Sequence, residues 1–179
     1  GMNIKRVMAS VCAVMLCASP VFAFDAAGAK ARLRAGDMGA VSSVREAAAS
    51  GDASAQYLMG VLYERGDVGV PKDVSRAIEF YRLAALGGDA KAMSNLGTIY
   101  ATGESGDVDE ARALSMFHMA AKAGDATGMF NLASMYKAGR GGPKDMDEAW
   151  FWYRRAAELD HAVALYNVAM ECQKRPRFC

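Results

Sequence analysis

Residues 55–63 read AQYLMGVLY, and the pattern returns as AMSNLGTIY at 92–100, GMFNLASMY at 128–136 and ALYNVAMEC at 164–172. The intervals are 37, 36 and 36 residues. A second piece recurs between them: RAIEFYRLAA from Arg76, RALSMFHMAA from Arg112 and EAWFWYRRAA from Glu148. A fixed period in this range marks a solenoid, whose units bury their apolar faces only against their neighbours. Stacked units build long concave surfaces, which suit the binding of other proteins better than catalysis.

Within each unit the apolar spacing is helical. Ala55, Met59 and Tyr63 recur every four residues with Gly60 beside them, a helical rather than a two-residue period, which argues against a strand. Gly66 closes that helix, Pro71 breaks the loop DVGVPKD, and Asp73 is placed to cap the next helix. The second helix carries Ala77, Phe80, Tyr81, Ala84 and Ala85 on one side; Gly87 and Gly88 end it, and Asp89 caps its successor. Small residues at 84/85, 120/121 and 156/157 permit close approach of backbones, while the aromatics at 81, 117 and 153 fill the space between layers. The pattern fades at both ends, as terminal units should. AAASGD at 47–52 matches LAALGGD at 83–89, which predicts a helix over residues 37–49 with a shorter partner over 26–35. Residues 164–174 form a lone first helix. The expected fold is therefore all-α: a right-handed α/α solenoid of helix-pair repeats with about nine helices. Its expected division is a capping pair at 24–52, repeats at 53–89, 90–125 and 126–161, and a capping helix at 162–179.

The first 23 residues read as a secretory signal peptide, with Gly1 ahead of Met2 as an expression scar. Lys5 and Arg6 precede an apolar run from Val7 to Leu16, and Val21 and Ala23 supply slim residues at −3 and −1. The run is too short for a transmembrane helix, and no later segment reaches the length a span needs. Removing the leader leaves 156 residues, one domain's worth. Lys5 and Arg6 leave with it, so 21 basic residues become 19 against 20 acidic ones, a net charge of −1. Such a balance gives no electrostatic footprint for nucleic acid or an anionic membrane. Cys12 and Cys17 also leave, and the remaining pair, Cys172 and Cys179, suggests a disulfide in an exported chain. Its eight-residue loop would stabilise by less than the roughly 3 kcal/mol of a 15-residue one. Its role would be to turn the tail beyond Pro176 back onto the last helix.

Two runs carry a family resemblance: AQYLMGVLYERGDVGVPKDVSRAIEFYRLAALGGDA from Ala55 and NLASMYKAGRGGPKDMDEAWFWYRRAAELDHA from Asn131. They resemble the Sel-one-like repeat, a relative of the tetratricopeptide repeat with a longer loop between its helices. The resemblance spans roughly residues 36–172, and the second copy departs from it: ATGESGDVDEA lacks the Pro-Lys-Asp element. It implies an adaptor or scaffold of the kind bacteria often export, with first helices lining the concave face.

Catalytic motifs are absent from the sequence: no GxxxxGK[ST], HExxH, GxSxG or CxxC occurs. The Gly-rich GRGGPKD at 139–145 is the repeat loop. His118 and His161 are the only histidines, both expected at the surface, His161 solvated at a helix junction. A β-lactam-binding subfamily of the same fold carries a Cys pair in every repeat, which this chain lacks. No enzyme activity, cofactor or metal is expected.

The candidate binding feature is a column on the first helices: Leu58, Asn95, Asn131 and Asn167, followed one turn on by Val61, Thr98 and Ser134. Residues at i and i+3 share a helix face, and asparagine both donates and accepts, so a ladder of them could grip a peptide backbone regardless of its sequence. The competing role for these asparagines is bonding to the adjacent repeat. Phe151, whose counterparts are Glu79 and Ser115, is a second candidate as an exposed interface anchor. The expectation is a periplasmic adaptor or regulator that binds a protein or peptide in its groove. Two alternatives are a cell-wall or β-lactam-binding enzyme on the same scaffold, and a structural spacer. A retained leader would be expected to bury itself in a neighbouring molecule's groove.

Overall fold

The computed structural model describes residues 23–174 and Pro176. The leader, apart from Ala23, lies outside the described residues, as does Cys179, so the leader's resting place and the Cys172–Cys179 pairing fall there too. The described residues form nine helices and no strand. In chain order they are α1 (Ala26–Arg34), α2 (Met38–Ala49), α3 (Ala53–Arg65), α4 (Val74–Leu86), α5 (Ala90–Thr102), α6 (Glu110–Lys122), α7 (Ala126–Ala138), α8 (Met146–Glu158) and α9 (Ala162–Lys174).

One device starts eight of these helices. Asp25, Asp37, Asp52, Asp73, Asp89, Asp109, Asp125 and Asp145 each accept a backbone N–H from the first turn. Each such cap contributes about 1 kcal/mol. The ninth helix is begun differently: Ala164 N donates to His161 Nδ1 at 3.2 Å. His161 also stacks on Phe130 at 4.7 Å between centroids. The junction histidine is therefore packed and capping, where the sequence suggests a solvated one. Its partner ring stands on α7, about thirty residues back along the chain, which local pattern does not reveal.

The first helix of each repeat ends on a left-handed glycine, Gly66, Gly103 or Gly139, at φ of 73, 71 and 68°. The chain then returns along one closing bond. Asp73 N donates to Tyr63 O at 2.8 Å, Asp109 N to Tyr100 O at 2.9 Å, and Asp145 N to Tyr136 O at 3.0 Å. The middle loop closes identically without Pro-Lys-Asp, because Gly106 folds back onto Gly103 O to make the turn. Tyr81, Phe117 and Tyr153 are buried between the paired helices, as the spacing predicts.

Curvature follows from unequal stacking. Consecutive first helices α1, α3, α5 and α7 make more contact with one another than consecutive second helices do. The first helices therefore lie on the inner, concave side.

The third loop is clasped to the preceding repeat. Arg140 Nε donates to Glu110 Oε1 at 2.6 Å and its Nη2 to Ala101 O at 3.2 Å. Gly141 sits there at φ 73°, and a Cβ on it would lie 2.2 Å from Glu110 O. Gly141→Ala combines backbone strain with a backbone clash, and is expected to destabilise by about 1–3 kcal/mol. Urea unfolding followed by circular dichroism measures this, and an unchanged midpoint would mean the clasp is dispensable.

Candidate functional site

The concave face carries three adjoining cavities that meet at one residue. Tyr57 borders all three. The largest, about 570 Å³, lies between α1, α3, α5 and the α6–α7 turn, and is lined in part by Ala27, Lys30, Ser54, Leu58, Lys91 and Asp125. A second, about 160 Å³, has an apolar floor of Leu33, Leu58, Val61, Leu62 and Val68 under a charged rim of Lys30, Arg34, Arg65 and Asp67. A third, about 210 Å³, is walled by Tyr57, Lys91, Ser94, Asn95, Asp125 and Thr127. Because Lys30 and Leu58 belong to the first two, and Lys91 and Asp125 to the first and third, the cavities form one continuous groove.

The helical period explains the lining. Ser54, Leu58, Val61 and Arg65 lie at i, i+4, i+7 and i+11 on α3, one stripe of a 3.6-residue helix. The same stripe on α5 holds Lys91, Asn95 and Thr98, and on α7 Thr127, Asn131 and Ser134. Ser94, one residue off the stripe, is only 4 % exposed, and its hydroxyl has no hydrogen-bond partner among the described residues. Unsatisfied buried hydroxyls are rare and costly in folded proteins. Partial burial, then the charges of Lys91, Arg34 and Arg65, hold the Lys30 ammonium below the usual lysine value. Burial, then the charge of Asp89, pushes the Tyr57 hydroxyl up.

The column residues separate into groups. Leu58, Val61 and Asn95 border the groove. Asn95 is already engaged on one side, its Nδ2 donating to Tyr81 OH of the preceding repeat at 2.9 Å, which leaves Oδ1 as the open end. Thr98 donates to Ser94 O, and Ser134 to Phe130 O with Tyr153 OH at 3.0 Å, so both hydroxyls are held within the fold. Asn131 and Asn167 are half-buried, with no side-chain hydrogen bond among the described residues. Phe151 is exposed, with its edge against Trp152, on a second helix away from the groove. Tyr57, Ser94 and the four cations are groove residues that the asparagine column overlooks. The stripe from Ser54 to Arg65 carries the signal for Arg65, and nothing local marks Ser94. Among the described residues no group of His, Cys, Asp and Glu could hold a metal ion. No helix there is long and apolar enough to cross a membrane.

Comparison with known families gives a Sel1-repeat match at residues 53–89, 90–125 and 126–161. The chain belongs to the Sel1-repeat family. Such proteins are in general non-enzymatic scaffolds, and the repeat commonly mediates protein–protein interaction. Among solved structures, a Sel1-repeat protein from Oxalobacter formigenes is 32 % identical with a TM-score of 0.74, covering 79 % of this chain and 57 % of the other. A protective antigen of uropathogenic Escherichia coli strains, displaying an SLR fold, is 31 % identical with a TM-score of 0.71, over 82 % of this chain and 34 % of the antigen. This chain thus spans 57 % of the first relative's length and 34 % of the second's. Helicobacter pylori cysteine-rich protein B, at 18 % identity and a TM-score of 0.55 over 68 % of this chain and 92 % of that one, shares the fold. No curated protein matched the chain.

Proposed function

We propose that this Sel1-repeat chain is an exported adaptor or regulator that holds a protein segment in its concave groove in the periplasm. The observation that carries the reading is the continuous groove centred on Tyr57, with the open Asn95 Oδ1 at its wall. A peptide backbone N–H supplies the donor that Asn95 Oδ1 lacks, and an extended chain fits a groove that follows the stacked first helices. Asn131 and Asn167 continue the polar row toward the C-terminus. Export rests on the leader-like residues 1–23 and on Cys172 and Cys179 as a disulfide closing the tail. Cell fractionation with intact mass measurement checks both: a product beginning at Phe24 and lighter by two hydrogens is expected.

Groove binding is tested by selecting displayed peptides on residues 24–179, then on a Ser54→Trp/Thr127→Trp variant. Both positions are exposed and line the groove, so the indoles fill it without disturbing the core. Selected peptides are expected to lose at least tenfold in affinity for the blocked variant, about 1.4 kcal/mol or more. Equal binding by both would move the interface elsewhere, first to Phe151. Asn131→Ala/Asn167→Ala should weaken the same peptides by several-fold while leaving the helices intact, and unchanged affinity would remove the asparagines from the site.

A further inference from the structure

Four cations converge on the N-terminal half of this groove from three helices. Lys30 and Arg34 stand one turn apart on α1, Arg65 ends α3, and Lys91 opens α5. Lys30 lines both the largest cavity and the apolar-floored one, Arg34 and Arg65 line the latter, and Lys91 lines the largest and the third. None of the four forms an ion pair with an anion of the described residues, although six other such pairs exist there. Two of the nearby carboxylates also cap helices. Asp89 accepts from Ala92 N at 2.8 Å and Asp125 from Gly128 N at 2.7 Å, each starting a helix. Asp67 is the remaining acid on the lining. The four cations thus outnumber the three acids of the lining, Asp67, Asp89 and Asp125, and Lys30 is held below the ordinary lysine value first by burial and then by the charges of Lys91, Arg34 and Arg65.

Between the cations lies apolar surface. Leu33, Leu58, Val61 and Leu62 floor a cavity of about 160 Å³, suited to a single aliphatic side chain. Asn95 borders the adjoining cavity beside Lys91, with its Oδ1 open. A ligand that meets all three features carries carboxylates on either side of an aliphatic residue on an extended backbone. We propose that the groove selects an acidic segment of a protein partner, in which carboxylates oppose Lys30, Arg34, Arg65 and Lys91 and an aliphatic side chain enters the Leu58–Val61 floor. Cations on a groove rim steer an acidic ligand in and reject basic ones. This inference rests on the peptide-binding reading and specifies its charge.

The test uses three fluorescent peptides of equal length: an alternating Glu/Leu sequence, its Gln/Leu isostere and a Lys/Leu analogue. Titration against residues 24–179 is expected to show the Glu peptide binding at least about tenfold tighter than the isostere, with the preference shrinking as salt is raised. Lys30→Glu/Lys91→Glu should abolish the preference, and Arg34→Gln/Arg65→Gln should halve it or more. All four positions are at least partly exposed, so unchanged circular dichroism is expected for both variants. Equal affinity for the Glu peptide and its isostere, with both blocked by Ser54→Trp/Thr127→Trp, would overturn the charge selection and leave the groove reading standing. Failure of all three peptides, with groove-dependent binding of those selected by display, would overturn it likewise. Failure of both sets would overturn both readings. Preference for anionic vesicles or a polyphosphate over the Glu peptide would overturn the assignment to an acidic protein segment.

Discussion

Tyr81→Ala is expected to remove about 3–5 kcal/mol of stability, the range for truncating a fully buried aromatic. Tyr81 has no solvent exposure, and its ring lies against Gly60, where a Cβ would stand 2.5 Å from Cδ1. Its hydroxyl donates to Glu64 on α3 and accepts from Asn95 on α5, so one side chain ties the two helices of its own repeat to the first helix of the next. Removing it opens a cavity and frees two polar groups together. Tyr81→Phe keeps the ring and loses only the hydroxyl, and should cost about 1–3 kcal/mol because Glu64 and Asn95 lose their shared partner. Burial, then the Glu64 carboxylate, raises the hydroxyl's pKa above the ordinary tyrosine value. The unfolded chain therefore gives up this proton first as pH rises. The stabilisation is complete below about pH 10 and is lost above it. Tyr57 and Tyr136 are shifted upward too, so Tyr81→Phe should reduce the alkaline loss without abolishing it. Urea unfolding from neutral pH to beyond pH 10 measures both effects. A Tyr81→Ala protein within about 1 kcal/mol of the parent would show that the repeats do not depend on this tie.

Gly97→Val should cost about 3 kcal/mol, the upper end for overpacking a core. A Cβ at Gly97 would lie 2.6 Å from Phe117 Cε1 and 2.7 Å from Cδ1. Phe117 is itself buried in the core shared with α7, so its ring has little room to withdraw. Valine adds two further methyl groups and a stiff χ1. Replacing a mid-helix glycine ordinarily gains up to about 1 kcal/mol of helix propensity, which makes a net loss diagnostic of the contact. The corresponding position in the third repeat is Ala133, fully buried in the cluster that contains Tyr153. There the pair accepts a methyl group, so Gly97→Ala should be much milder than valine. At roughly 2–4 °C per kcal/mol for a chain of this size, the valine variant should melt about 6–12 °C lower. A thermal midpoint within about 2 °C of the parent would mean the helices can separate freely, contrary to the packing described.

These two positions also show how much the sequence makes legible. Gly60 and Gly97 recur 37 residues apart beside a four-residue apolar stripe, and Tyr81 and Phe117 recur 36 apart among small residues. The period alone yields the helix pairs, because a unit that cannot bury its own face must repeat the same spacing to bury it on a neighbour. The Asp caps and glycine ends follow from rules local to a single turn. The middle loop, which lacks Pro-Lys-Asp, adopts the same closure because the Asp109–Tyr100 bond needs only a backbone N–H and a carbonyl.

The groove was legible only in part. Leu58, Val61 and Asn95 are found on its wall because a shared helix face can be counted from residue numbers. The engagement of Asn95 with Tyr81 is not countable, since it depends on how far one repeat rotates over the last. The same holds for Ser134 turning to Tyr153, and for His161 stacking on Phe130. The sequence by itself determined the helices, their aspartate caps and their pairing, which are set within about forty residues of chain. Only the tertiary structure decided that Lys30, Arg34, Arg65 and Lys91 share one groove and that the Ser94 hydroxyl is buried beside it. Those positions lie up to about sixty residues apart, and their meeting depends on the stacking angle of successive repeats. That angle is fixed by the packing of every buried side chain together and is written in no single motif.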